Sequence, residues 1–175
     1  KLLLKLWNIE ADLVCDPLFG LELQPAESQN KVGVQLRSFK TLSDKLLNKL
    51  AQQICKEFSD KEIEIYSFQD KLDLEVCQKF EKMLKHINPE IKTILLYSQT
   101  SQEILDRISK LEYMIAMRFH ANLIAIKYGI KSLAISYDVK VEKLAEEASI
   151  PCLSMSAEEN YDEALIHNLL FQKGS

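Results

Sequence analysis

The chain has 175 residues, 47% of them hydrophobic, enough for one domain to bury a core without disulfides or metal. Its 22 basic and 26 acidic side chains give a net charge of −4 with 27% charged residues, which excludes a dedicated nucleic-acid binder and a disordered acidic tail. The glycines, Gly20, Gly33, Gly129 and Gly174, are too far apart to form a P-loop or a dinucleotide fingerprint. Cys15, Cys55, Cys77 and Cys152 contain no C-x-x-C pair for zinc or dithiol cycling, so they are expected to be reduced and mostly buried.

Residues 1–7 are basic and leucine-rich but lack a long apolar centre and a small-residue cleavage site, so they do not read as a signal peptide. Lys1 is not methionine, and a trimmed chain lacking a partner domain is expected. The longest apolar stretches, at 113–117 and 121–126, fall far short of the ~20 residues of a membrane helix. Residues 11–17 read as a short strand and turn, and the polar segment 24–31, with Pro25, reads as a hinge. The expected division is a preceding segment at 1–31 and a domain at 32–175.

From residue 32 onward two apolar periods alternate. Strand-like runs fall at 32–36, 63–68, 93–97, 113–117 and 132–136, with a weaker one at Cys152 and Leu153. Between the first two, Leu42, Leu46, Leu47, Leu50, Ala51, Ile54, Cys55 and Phe58 mark one face of a helix. Leu74, Cys77, Phe80, Leu84 and Ile87 mark the next, which stops before Pro89. Thr100 with Glu103, and Ser156 with Glu159, have the spacing of capping boxes. The helix holding Ala121, Leu123, Ile124, Ala125 and Ile126 is apolar nearly all round and should be buried on several sides, with Gly129 as a left-handed stop. A further helix at 139–148 ends before Pro151.

Strand and helix alternate at least five times, which predicts a doubly wound α/β domain with a parallel sheet covered on both faces. Its strand order is not legible. Ligands of such sheets approach the carboxyl ends of the strands, so functional residues are sought just after them.

The strongest candidate is the run of Met117, Arg118, Phe119, His120 and Ala121, where polar groups interrupt an apolar strand and an apolar helix. If the chain is still extended there, Arg118 and His120 share one side. The helix that follows offers free N–H groups and a positive dipole end to an anion. Arg118 could grip a carboxylate or phosphate with its fork, and His120 could carry a proton. The plainer alternative is that Arg118 caps a loop and His120 donates to a carbonyl.

Ser136, Tyr137, Asp138 and Lys140 follow the next strand and could position a sugar or phosphate, although Ser and Asp are also helix caps. Arg37 ends the first strand, and Gln69 with Asp73 follows the second; these suit a terminus and a helix start as well as a ligand edge. His86 and His167 suggest only packing or surface roles.

The run 117–121, followed by Gly129 and by Ile135, Ser136, Tyr137, Asp138, Val139, Lys140 and Val141, resembles the C-terminal half of the bacterial polysaccharide pyruvyl transferase family. Weaker echoes at 11–17, 33–37 and around Gln69 and Asp73 extend the likeness over about residues 11–155. The resemblance implies a Rossmann-like C-terminal domain of a GT-B type two-domain transferase, whose N-terminal domain is missing here. It implies transfer of the enolpyruvyl unit of phosphoenolpyruvate to a sugar as a pyruvate ketal. Arg118 and His120 then match the donor-binding pair, with Phe119 where leucine often stands. Phe119, Ser136, Tyr137, Asp138, Lys140, Arg37 and Gln69 become candidates for binding substrate.

The partners so implied are phosphoenolpyruvate and a lipid-linked or polymeric glycan precursor, with no metal, no cofactor and no nucleic acid. The implied place is the cytoplasm, with peripheral contact to the inner membrane face. Val139 and Lys131 depart from the family pattern, standing where proline is common. Rival readings are half of a sugar-nucleotide glycosyltransferase, with Arg118 and Lys140 on a diphosphate, and a non-catalytic α/β binding module.

Overall fold

The structure, a computed structural model, describes residues 17–20, 22–24, 26–155 and 163–171. The strand expected at 11–17 and the Ser156–Glu159 capping box lie outside the described residues, apart from Pro17, which opens a short 3-10 turn ending at Gly20. Six parallel strands follow: β1 (Lys31–Gln35), β2 (Glu62–Tyr66), β3 (Lys92–Leu96), β4 (Tyr113–Ala116), β5 (Lys131–Ser136) and β6 (Cys152–Ser154). They are joined by α1 (Asp44–Glu57), α2 (Asp70–Ile87), α3 (Ser101–Ile108), α4 (Phe119–Lys127) and α5 (Val139–Glu147), and α6 (Glu163–Phe171) follows β6.

The strands lie in the order β3-β2-β1-β4-β5-β6. The chain therefore winds outward from β1 to β3, returns to the far side of β1 at β4, and winds outward again. This doubly wound, Rossmann-like order puts its switch point between β1 and β4, where the connections leave in opposite directions and open a crevice.

Strand alternation divides the core. Val32, Val34, Leu36, Ile63, Ile65, Ile115 and Ile135 face a layer made by α1, α2 and α6 through Leu47, Leu50, Ile54, Phe80, Leu84 and Ile166. Met114, Ala116 and Tyr66 face the opposite layer, where α3 and α4 contribute Ile108, Ala121, Ile124 and Ala125. Ala134 meets Val141 and Ala145 of α5 on its own smaller cluster. The expectation for α4 holds: Ala121 to Ala125 are all buried, and Gly129 closes the helix at φ +68°. Thr100 and Glu103 form the expected capping box on α3.

The strands begin and end within a residue or two of the expected bounds. Val139, one of the departures, is the first residue of α5, a position that favours proline without requiring it, so the helix start is preserved. Cys55 and Cys77 are buried free thiols and Cys152 is partly buried. No helix among the described residues is long and apolar enough to cross a membrane.

Gly33 occupies the middle of β1 because a larger residue has no room. A Cβ there would lie 2.5 Å from Leu111 Cδ1 and 2.6 Å from Met114 Sδ, and both neighbours are themselves buried. Gly33→Ala is expected to destabilise the fold by about 1–3 kcal/mol through overpacking. A lowered urea midpoint at unchanged slope would register this; an unshifted midpoint would contradict the close packing.

Candidate active site

Arg118 leaves β4 in extended conformation, φ −77° and ψ 140°, and is the N-cap of α4. The helix starts at Phe119, so the two-residue alternation that would align Arg118 with His120 applies only as far as Arg118. That premise is corrected by the structure. The two residues stand instead at the start of α4, Arg118 at the N-cap position with no side-chain cap bond and His120 in the first turn.

The Arg118 fork is already filled. Its Nε and Nη2 donate to Asp73 Oδ2 and Oδ1 at 2.8 and 2.7 Å, and Nη2 also donates to Gln69 Oε1 at 2.8 Å. Asp73 is fully buried and the Arg118 side chain is 14% exposed. The bidentate pairing expected of a ligand carboxylate is thus made by a carboxylate of the chain itself.

Asp73 sits in the first turn of α2 and serves as its internal cap. Besides Arg118, its Oδ2 accepts from the backbone N–H groups of Phe68 and Gln69 at 3.1 and 3.0 Å, and from Gln35 Nε2 at 3.3 Å. Gln35, the last residue of β1, is fully buried; its Oε1 accepts from the Arg118 N–H at 2.8 Å and its Nε2 also donates to Leu36 O. Behind this network, burial pushes the Cys77 thiol up to about 12, which removes it as a nucleophile near neutral pH.

Asn122 completes the turn, donating from Nδ2 to the carbonyls of Ala116 and Arg118 at 3.0 Å each. These two bonds hold the β4–α4 corner closed, while Asn122 Oδ1 is buried without a hydrogen bond among the described residues.

Arg37, just beyond β1, reaches the other way. Its Nη1 donates to the Tyr137 hydroxyl at 3.0 Å, its guanidinium carbon stands 5.3 Å from the Tyr137 ring centroid, and its Nε is buried without a hydrogen bond among the described residues. Tyr137 in turn packs on Phe39 at 4.8 Å. The two arginines therefore cross the switch point in opposite senses: Arg118 from β4 to α2, and Arg37 from β1 to the residue after β5. No acidic side chain pairs with Arg37 among the described residues, so Arg37 carries charge that the surrounding side chains leave uncancelled.

The remaining candidates divide by what they touch. Phe119 is half-buried, packs on the cluster of Ala134, Val141 and Ala145, and meets the His120 ring edge-on at 5.5 Å, so it holds α4 against α5. His120 is exposed. Ser136 is buried and donates to Asp138 O at 2.8 Å, while Asp138 Oδ1 caps α5 through the N–H groups of Lys140 and Val141, each at 3.0 Å. These two serve the local turn, whereas Tyr137 is held by Arg37 and Lys140 is exposed. Gln69 is exposed and its Oε1 belongs to the Arg118 network.

Sequence reasoning missed Gln35 as well as Asn122. A glutamine ending a buried strand beside an arginine would have been the signal, since a buried amide requires partners. No group of three or more His, Cys, Asp or Glu able to hold a metal occurs among the described residues.

A family model described as polysaccharide pyruvyl transferase matches residues 1–139. The matched span takes in Arg37, Gln69, Arg118, Phe119, His120, Ser136, Tyr137 and Asp138, and ends one residue before Lys140. None of the curated proteins matches the chain.

Asp138 as an N-cap yields a prediction separate from any ligand. Asp138→Ala should cost about 1 kcal/mol of stability and Asp138→Asn much less, as measured by thermal unfolding. Equal losses for the two would show that the carboxylate charge, and not the cap, is what the fold uses.

Proposed function

The chain belongs to the polysaccharide pyruvyl transferase family, and from that membership we propose that it transfers the enolpyruvyl unit of phosphoenolpyruvate to a sugar of a cell-surface glycan precursor, forming a pyruvate ketal. The observation that supports this best is that Arg118 and His120 stand at the N-cap and in the first turn of α4, the helix that follows β4 at the β1/β4 switch point. A small dianion there would meet the Arg118 guanidinium and the first N–H groups of α4 with their positive dipole end, with the charge of Arg37 nearby.

The reaction needs a proton at the methylene carbon of phosphoenolpyruvate. His120 gives it, the adjacent carbon becomes electrophilic, and a sugar hydroxyl adds to that carbon and loses its proton. The carbon–oxygen bond to phosphate then breaks, and a second hydroxyl of the same sugar closes the ketal with loss of its own proton. One phosphoenolpyruvate and one diol thus become one ketal and one phosphate, without oxidant or reductant. Arg118 and Arg37 hold the carboxylate and phosphate, and preorganised donors of this kind stabilise charge developing on the departing phosphate. Tyr137, Lys140 and Gln69 are the groups in reach of the acceptor, while Ser136, Asp138 and Phe119 shape the walls.

In this reading the described sheet is the C-terminal half of a GT-B type enzyme and a facing N-terminal domain closes the crevice. The enzyme works in the cytoplasm, with peripheral contact to the inner membrane face where lipid-linked precursors lie. The 175-residue chain alone is then expected to turn over only slowly.

His120→Ala in the full-length enzyme should lower ketal formation by ~10²–10⁴-fold, with phosphate release lost in parallel and the fold intact. The assay follows phosphate and ketal from phosphoenolpyruvate across a panel of lipid-linked amino sugars. Undiminished turnover would remove His120 from the mechanism, and release of a nucleotide in place of phosphate would point to a glycosyl transfer.

A further inference from the structure

We infer that Gln35 and Asp73 are positioning residues for the donor, holding the Arg118 fork inward so that the oxyanion meets Arg118 through Nη1. This rests on the donor reading above and deepens it. Asp73 receives hydrogen bonds from three separate segments: Gln35 at the end of β1, Phe68 and Gln69 in the β2–α2 loop, and Arg118 at the start of α4. The Phe68 and Gln69 N–H groups keep Asp73 in place, so swinging Arg118 out to a ligand would leave a fully buried carboxylate without its counter-charge, a substantial loss. The fork therefore stays where it is.

Gln35 locks the same residue from the other side. Its Oε1 takes the Arg118 N–H, which as the N-cap N–H has no partner within the helix, and its Nε2 steadies Asp73. Main chain and side chain of Arg118 are thus fixed by two residues that are both fully buried and cannot themselves touch a ligand. The guanidinium nitrogen left without a hydrogen bond among the described residues is Nη1, on the side away from the carboxylate edge. The donor is read by a nitrogen whose direction is set in advance, which spares the ordering cost of a free arginine on binding.

Charge and positioning make opposite predictions for Asp73→Asn. Removing a negative charge beside an anion site should tighten binding if electrostatics alone matters, whereas loosening the fork should weaken it. The test is calorimetric titration of the full-length protein with phosphoenolpyruvate, with folding of each variant checked by thermal unfolding. Positioning predicts that Asp73→Asn weakens binding by about tenfold, the scale of one well-made hydrogen bond to a charged group.

Gln35→Met, which changes no charge, should do the same, and serves if Asp73→Asn fails to fold. In the Gln35→Met background, Arg118→Lys should cost less than it does in the unaltered protein, because both changes release the same group. Tighter or unchanged binding by Asp73→Asn, or penalties of Gln35→Met and Arg118→Lys that multiply in full, would overturn the inference while leaving donor binding intact. Absence of phosphoenolpyruvate binding by the unaltered protein would remove the donor reading itself and this inference with it.

Discussion

The contact between Arg118 and Asp73 ties together the parts of the sheet that a ligand would meet. It joins the start of α4 to the first turn of α2, across the end of β1, at the point where the winding of the sheet reverses. A buried ion pair stabilises little in net terms once desolvation is counted, but removing one partner leaves an uncompensated charge and typically costs about 3–5 kcal/mol. The contact therefore contributes more to fixing geometry than to holding the fold. Helix packing supplies the stability, through an apolar layer on each face of the sheet.

The crossing of the two arginines gives this edge its chemical character. Arg118 is neutralised and immobilised by Asp73, while Arg37 rests on the aromatic face and phenol hydroxyl of Tyr137 with no carboxylate paired to it among the described residues. One cation is directed and largely cancelled; the other keeps its charge. A ligand with two unlike anionic groups, such as a carboxylate and a phosphate, suits such an unequal pair better than two equivalent arginines would. The positive dipole end of α4 begins at Arg118 itself.

Much of the fold was legible because its signals are local. Apolar period separated strands from helices, Thr100 and Glu103 marked a helix start, and Gly129 marked a stop. Strand order was not legible, since it depends on which helix covers which face. β2 shows another limit: EIEIY alternates like a strand with one wet face, yet Glu64 is fully buried, taken up by Lys31 at 3.0 Å, Arg107 at 3.1 Å and the Tyr66 hydroxyl. The candidate site was found from Arg118 and His120, but the partners that orient Arg118 come from residues 35, 69 and 73, and no spacing rule connects positions so far apart in sequence. The strand alternation used to align Arg118 with His120 failed because the helix begins between them.

The most direct measurement is a crystal structure of the protein with phosphoenolpyruvate or an unreactive analogue in the crevice. The account predicts that Arg118 Nε and Nη2 remain on Asp73, with a ligand oxygen on Nη1 and the imidazole of His120 within reach of the methylene carbon. A fork swung off Asp73 onto the ligand, or a ligand bound away from the mouth of α4, would contradict it.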